Sequence, residues 1–396
     1  METTHSMMSS IIVLVEQVNI VIDQRNLWTF AAMVALFLRG KRAHLYELGK
    51  ALPGKGKLES RVQKLRRWLS NPRICPEQFL PVYLHVLAPL LVSLPQLVLI
   101  IDRTEWKRLG VHVNLFICSV AFKGRSFPIY WIVLPKRGCS SLADQKVLLE
   151  PVFQALQAHP LLAPTRKVIL ADREFCAPRL AQWIRRFEIH FCLRVKKSFY
   201  VSRTDIPPRR ISTFLQHCQP GTCYFFEAIS LTTTTRMPCH LFLSWRKDCQ
   251  EPLALITDLQ EPESLEALYG ERMFIETLNR DLKSGGYDVE RGKLTEAKRL
   301  TNLLIPLALA YLCTVIQGNL EEIKAPPPPL RKRRLSLFTK ARNLFNDLIE
   351  RKPLRVVIQF FQEFFAFFVT LMSQITLVNT TNLLRKFSKR QLTLLQ

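Results

Sequence analysis

Acidic residues are scarce in this chain. Its 396 residues hold 32 Asp and Glu against 56 Lys and Arg, a formal charge of +24 and an isoelectric point near 9.9. That imbalance points to a polyanionic partner, nucleic acid foremost. A repeating cysteine framework is also missing, because the ten Cys are scattered. So is an N-terminal basic stretch followed by an apolar run and a small-residue cleavage site. Reduced thiols and a cytoplasmic location are expected, and the sequon at Asn379 then carries no weight. No apolar run reads as a membrane span: 86–101 and 303–316 are short or broken by Pro, and 359–378 contains Gln362, Glu363 and Gln374. Hydrophobic residues are not scarce, at 48%, which argues against disorder and leaves room for a large core and two or three domains.

Residues 8–95 read as helical, with apolar blocks at 11–22, 27–38 and 79–91 separated by basic segments. Between Arg39 and Arg73 there are eleven Lys and Arg and two Glu. Within that stretch, 44–52, a turn at 53–57 and the basic run 60–69 resemble a helix-turn-helix DNA reader, with Lys64, Arg66 and Arg67 as its contacts. A basic amphipathic helix on any basic surface has the same pattern. The Gly-Lys repeat at 54–57 lacks the spacing and the preceding strand of a phosphate-binding loop.

From Gln96 the texture changes. Apolar runs at 97–101, 111–122, 127–134, 167–171 and 191–195 predict strands, and 142–156 and 178–186 predict helices. Strand, strand, strand, helix, strand, helix, strand is the element order of a ribonuclease-H-like α/β domain. Asp102 and Asp172 each follow an apolar strand, and in that order the two strands are neighbours. Two carboxylates so placed repel unless a cation neutralises them. Taken singly, each Asp also suits a turn or a helix cap.

The third acid sits in the run Tyr269–Lys283, which predicts one helix. Offsets of 3, 4 and 7 residues bring Tyr269, Arg272, Glu276 and Lys283 close to one stripe. Such a stripe can be an ordinary solvated salt-bridge face. It can equally place one metal-binding carboxylate between cations that face phosphate. With Asp102 and Asp172, Glu276 completes an oxygen ligand set suited to one or two Mg²⁺ ions, with Mn²⁺ as a substitute.

These motifs resemble those of the DDE transposases of bacterial insertion sequences, in the insertion-sequence-four group with a Tyr-Arg-Glu-Lys signature. The resemblance spans about residues 96–316. It implies that Asp102, Asp172 and Glu276 are the catalytic, metal-binding triad and that Tyr269, Arg272 and Lys283 contact DNA phosphates. It also implies cut-and-paste transposition at terminal inverted repeats, by phosphodiester cleavage and strand transfer. The 103 residues between Asp172 and Glu276 exceed a minimal core. Their β-rich part, about 200–260, resembles the insertion of this group, in which a Trp can stack on a flipped base. Trp245 is the candidate, although a Trp buried in a small sheet would look the same. Cys218, Cys223, Cys239 and Cys249 fall there too, at spacings unlike common zinc modules.

The chain is thus expected to divide into a helical DNA-binding region (1–95), a ribonuclease-H-like core with a β-rich insertion (96–316), a Pro-rich linker (317–330) and a basic helical region (331–396). The last holds thirteen Lys and Arg and three acids and suits DNA contact and pairing of two protomers, or plain packing under the core. The expected partners are double-stranded DNA, both transposon ends and target, and a second copy of the chain in a homodimer, with no membrane. Competing readings are a metal-dependent nuclease or resolvase on the same core and a non-catalytic, transposase-derived repressor.

Overall fold

The computed structural model describes residues 2–232, 236–324, 335–373 and 391. The Pro-rich run 325–330, the basic cluster Arg331–Arg334 and the sequon at Asn379 lie outside them. Strand β1 (Gln96–Arg108) begins with a continuous buried apolar run, as expected of a strand covered on both faces. It forms an antiparallel meander with β2 (Val111–Phe122) and β3 (Arg125–Leu134). Lys123 and Gly124 turn the second hairpin with φ of 47° and 76°. Positive φ at both positions suits the right-handed twist of the flanking strands.

Helix α6 (Leu142–Ala158) carries the chain to β4 (Arg166–Ala171), and α7 (Pro178–Arg185) carries it on to β5 (His190–Arg194). β4 lies parallel to both β1 and β5. The expected β-rich stretch follows as β6 (Tyr200–Arg203), β7 (Ile206–Arg210), the short helix α8 (Ile211–Leu215), β8 (Thr222–Leu231), β9 (Met237–Trp245) and β10 (Leu253–Thr257). It does not form a separate sheet. β10 pairs with β5, so all ten strands join in the order β3-β2-β1-β4-β5-β10-β9-β8-β6-β7. The fold is mixed α/β, in coarse agreement with the expected class.

The N-terminal helices are α1 (Glu2–Glu16), α2 (Gln24–Leu38), α3 (Leu45–Ala51), α4 (Leu58–Leu69) and α5 (Pro76–Leu91). After the sheet come α9 (Pro262–Gly270), α10 (Phe274–Leu282), α11 (Ala297–Lys324), α12 (Leu337–Arg351) and α13 (Leu354–Ser373). α11 packs against β3, α2, α4, α5 and α12, which makes it the axis of the helical side. Among the described residues it alone is long and apolar enough to cross a membrane, yet 94% of its apolar window is buried inside the protein. A helix that is apolar all round is satisfied by such a core. Each fully buried Leu or Ile along it, such as Ile305, Leu307 and Leu309, contributes about 1.5–3 kcal/mol. Pro306 removes one helix hydrogen bond, and the buried Tyr83 hydroxyl donates to the neighbouring Ile305 carbonyl at 3.0 Å.

Candidate active site

The parallel ladder between β1 and β4 ends at the pair Ile101 and Ala171. Asp102 and Asp172 are the next residues in each chain segment past that pair, and the charge of Asp172 is felt at Asp102. Asp102 does not end its strand as expected. β1 runs on to Arg108 because β2 stays paired with it as far as Arg108 and Val111. The apolar run stops at Asp102 because β4 stops there. Ligand sites of open α/β sheets lie outside this end of the strands.

The run from Tyr269 to Lys283 is not one helix. α9 ends at Gly270, a 3-10 turn covers Glu271–Met273, and α10 starts at Phe274. α10 is held in place by a buried ion pair at its far end, where Arg125 of β3 donates to Asp281 at 3.0 Å. Removing one partner of such a pair costs about 3–5 kcal/mol. The glycines that follow are required: a Cβ on Gly286 would sit 2.3 Å from the Asp281 carbonyl oxygen and 2.7 Å from the Phe338 ring. α10 then presents Glu276, about half exposed, to the two Asp.

Arg272 is 11% exposed, and its Nη2 donates to Glu276 Oε1 at 3.4 Å. Burial works against its charge, but Tyr269, Asp172, Asp102 and Glu276 outweigh that and raise its pKa. Asp102 has a pKa pushed up to about 6, first by burial and further by Glu276 and Asp172, against the Arg103 backbone N–H and Arg272. Burial likewise raises the Tyr269 phenol. Lys283 stands over the Trp106 ring at 5.4 Å and donates to the Glu105 carbonyl at 3.2 Å. Burial lowers its pKa, opposed by Glu290 and Asp102. Although the single helix is broken, Arg272, Glu276 and Lys283 remain grouped around the two Asp.

Three buried polar atoms in this cluster, Tyr269 Oη, Arg272 Nε and Asn279 Oδ1, have no hydrogen-bond partner. Two are donors suited to an anion and one is an acceptor suited to a hydrated cation. Among the described residues no three acid, imidazole or thiol side chains stand close enough together to form a finished metal cage. The oxygen-only donor set and the orphaned atoms fit a hard divalent cation together with a phosphate.

A family model described as a transposase DDE domain matches residues 93–313, more than half of the 396 residues. The chain belongs to the DDE transposase family. No curated protein matches it significantly. The matched span contains Asp102, Asp172 and Glu276 and ends inside α11. Family membership implies a ribonuclease-H-like core, supports transposase or nuclease activity in general, and implies DNA as substrate and a divalent metal as cofactor.

Two further side chains beside the carboxylates escaped sequence reasoning. Asn279 Nδ2 donates to Asp102 Oδ2 at 3.2 Å. It lies one helical turn after Glu276, a spacing that could have flagged it. Arg194, the last residue of β5, lies 3.7 Å from Asp172 Oδ1. Trp245 ends β9 at the same end of the sheet, three strand spacings from β4, about 14 Å across the strands. Its indole N–H donates to the Cys249 carbonyl at 3.0 Å.

The remaining sequence candidates lie apart from the acids. Lys64 stands over the Trp28 ring at 3.7 Å, while Arg66 and Arg67 are exposed on α4. Cys218 and Cys239 are buried, whereas Cys223 and Cys249 are exposed.

Proposed function

We propose that this transposase belongs to the insertion-sequence-four group and carries out cut-and-paste DNA transposition at terminal inverted repeats. The observation that carries the proposal is the placement of Asp102 and Asp172 one residue past a shared ladder end, with Glu276 and Arg272 facing them. Asp102, Asp172 and Glu276 hold one or two Mg²⁺ ions, or Mn²⁺. Held by these three carboxylates, such an ion would supply Lewis-acid polarisation of the phosphodiester and of the attacking oxygen.

The protein's own groups do the rest. Arg272 offsets the carboxylate charge and directs its free N–H toward a phosphate. The unpartnered Tyr269 hydroxyl donates to the same region, and Lys283, braced on Trp106, supplies a point charge beside it. Asn279 orients Asp102. Trp245 is the group that stacks on a flipped base. Residues 1–95 serve as the DNA-binding region through Lys64, Arg66 and Arg67, and 96–316 as the catalytic core with its insertion at about 200–260. Beyond the linker, the basic region 331–396 contributes to a homodimer on DNA in the cytoplasm.

The test incubates the protein with Mg²⁺ and a duplex carrying the flanking element's end. Nicking at the 3′ end followed by joining to a target supports the proposal. Cutting without joining assigns a nuclease, and binding without cutting assigns a repressor.

A further inference from the structure

An open groove of about 1080 Å³ lies between the α3–α4 pair, the tip of β1 and the segment 291–299. Six cations line it, Arg66, Arg67, Arg108, Arg291, Lys293 and Arg299, against the single acid Glu47. Arg291 and Arg299 have acidic neighbours at 3.8 Å and 3.1 Å. Among the described residues, Arg66, Arg67, Arg108 and Lys293 have none within ion-pair distance, and Arg108 Nε is buried with no hydrogen-bond partner. Unpaired cations facing one another across a groove repel unless an anion joins them.

The groove's place relative to the carboxylates narrows the choice of anion. Arg108 lies six residues beyond Asp102 on the same strand, about 20 Å at roughly 3.3 Å per residue. That distance matches about six base pairs of duplex at 3.4 Å each. The cations come from three separate chain segments, 66–67, 108 and 291–299, which suits the extended backbone of a duplex better than one small anion.

We propose that this groove grips the phosphate backbone of the duplex about six base pairs from the bond held at Asp102, Asp172 and Glu276. The transposase reading supplies DNA as the ligand. The groove adds Arg108, Arg291, Lys293 and Arg299 as contacts, and it makes them sequence-independent, because phosphates are the same at every site.

The test measures duplex binding against salt without divalent metal, so that it does not depend on cleavage. Three proteins are compared on one duplex of arbitrary sequence: the unaltered chain, Arg108→Ala/Lys293→Ala, and the control Arg166→Ala/Arg186→Ala. The control removes the same charge from the far end of the β1–β4 ladder and from the end of α7 that leads into β5. The groove variant is expected to lower the log–log salt slope by about 2, at about 0.9 per phosphate contact, with the control unchanged. Lys293→Ala alone, at an exposed position, should lower it by about 1 and provides the reading if the double variant unfolds. An unchanged slope in the groove variants, or an equal fall in the control, overturns the proposal.

Discussion

Replacing Asp102 with Asn should make the protein more stable and less able to cut DNA. The magnitude follows from the folded pKa of about 6 against an ordinary 3.8. At about 1.4 kcal/mol per pH unit, keeping Asp102 ionised in the fold costs about 3 kcal/mol. Because the folded pKa is the higher one, the folded state binds the proton more tightly. Stability from this residue is full below about pH 4, declines as pH rises, and is gone above about pH 6. Asp102→Asn keeps the shape and an oxygen for the Asn279 amide but removes the charge. Without divalent metal it should raise stability by about 1–3 kcal/mol at pH 8, and the gain should vanish near pH 4. Mg²⁺ should narrow the gap at pH 8, because it stabilises the ionised parent more. Denaturant unfolding of both proteins at the two pH values, with and without Mg²⁺, measures this directly. A variant less stable than the parent at pH 8, or a gain unchanged at pH 4, would refute the account in which burial, reinforced by Glu276 and Asp172, disfavours the ionised Asp102.

Arg272→Ala and Lys283→Ala should each reduce cleavage at least about tenfold, a loss of about 1.4 kcal/mol in the transition state. Thermal unfolding should move by only about 0.5 kcal/mol for Lys283→Ala and by more for Arg272→Ala, whose guanidinium is 11% exposed among the carboxylates; full activity in both would return the motif to an ordinary salt-bridged surface. Gly286→Ala should destabilise the fold by more than about 2 kcal/mol, because its methyl group collides with the Asp281 carbonyl oxygen rather than with a movable side-chain tip. An unaltered melting temperature would show that the turn after α10 is looser than described.

The carboxylates were legible because strands buried on both faces are nearly continuous in apolar residues, and such runs lead to Asp102 and Asp172. The true end of β1 was hidden: past Asp102 it is half covered, so its composition turns polar while β2 still pairs with it. β6 and β7 carry the weakest strand signal of the β-rich stretch, since each ends in polar residues and β7 contains two Pro. Nor did the sequence expose the break between α9 and α10. Gly270 was the one local sign of it, and Leu268, Ile275 and Leu278 keep a helical spacing across the break. Arg194 and Asn279 could be placed only once the strand order and the seat of α10 were known. The joining of the β-rich stretch to the main sheet depends on β10 pairing with β5, a contact that local sequence does not encode.

The central claim is that Asp102, Asp172 and Glu276 form one metal-dependent DNA-cutting centre. Asp102→Asn, Asp172→Asn and Glu276→Gln, assayed beside the parent with Mg²⁺ on a duplex carrying the element's end, test it most directly. The account predicts that the parent nicks the strand and that each variant binds the duplex equally well but cuts at least about a hundredfold more slowly, about 2.7 kcal/mol in the barrier. Undiminished Mg²⁺-dependent cutting by any one of the three variants would contradict it.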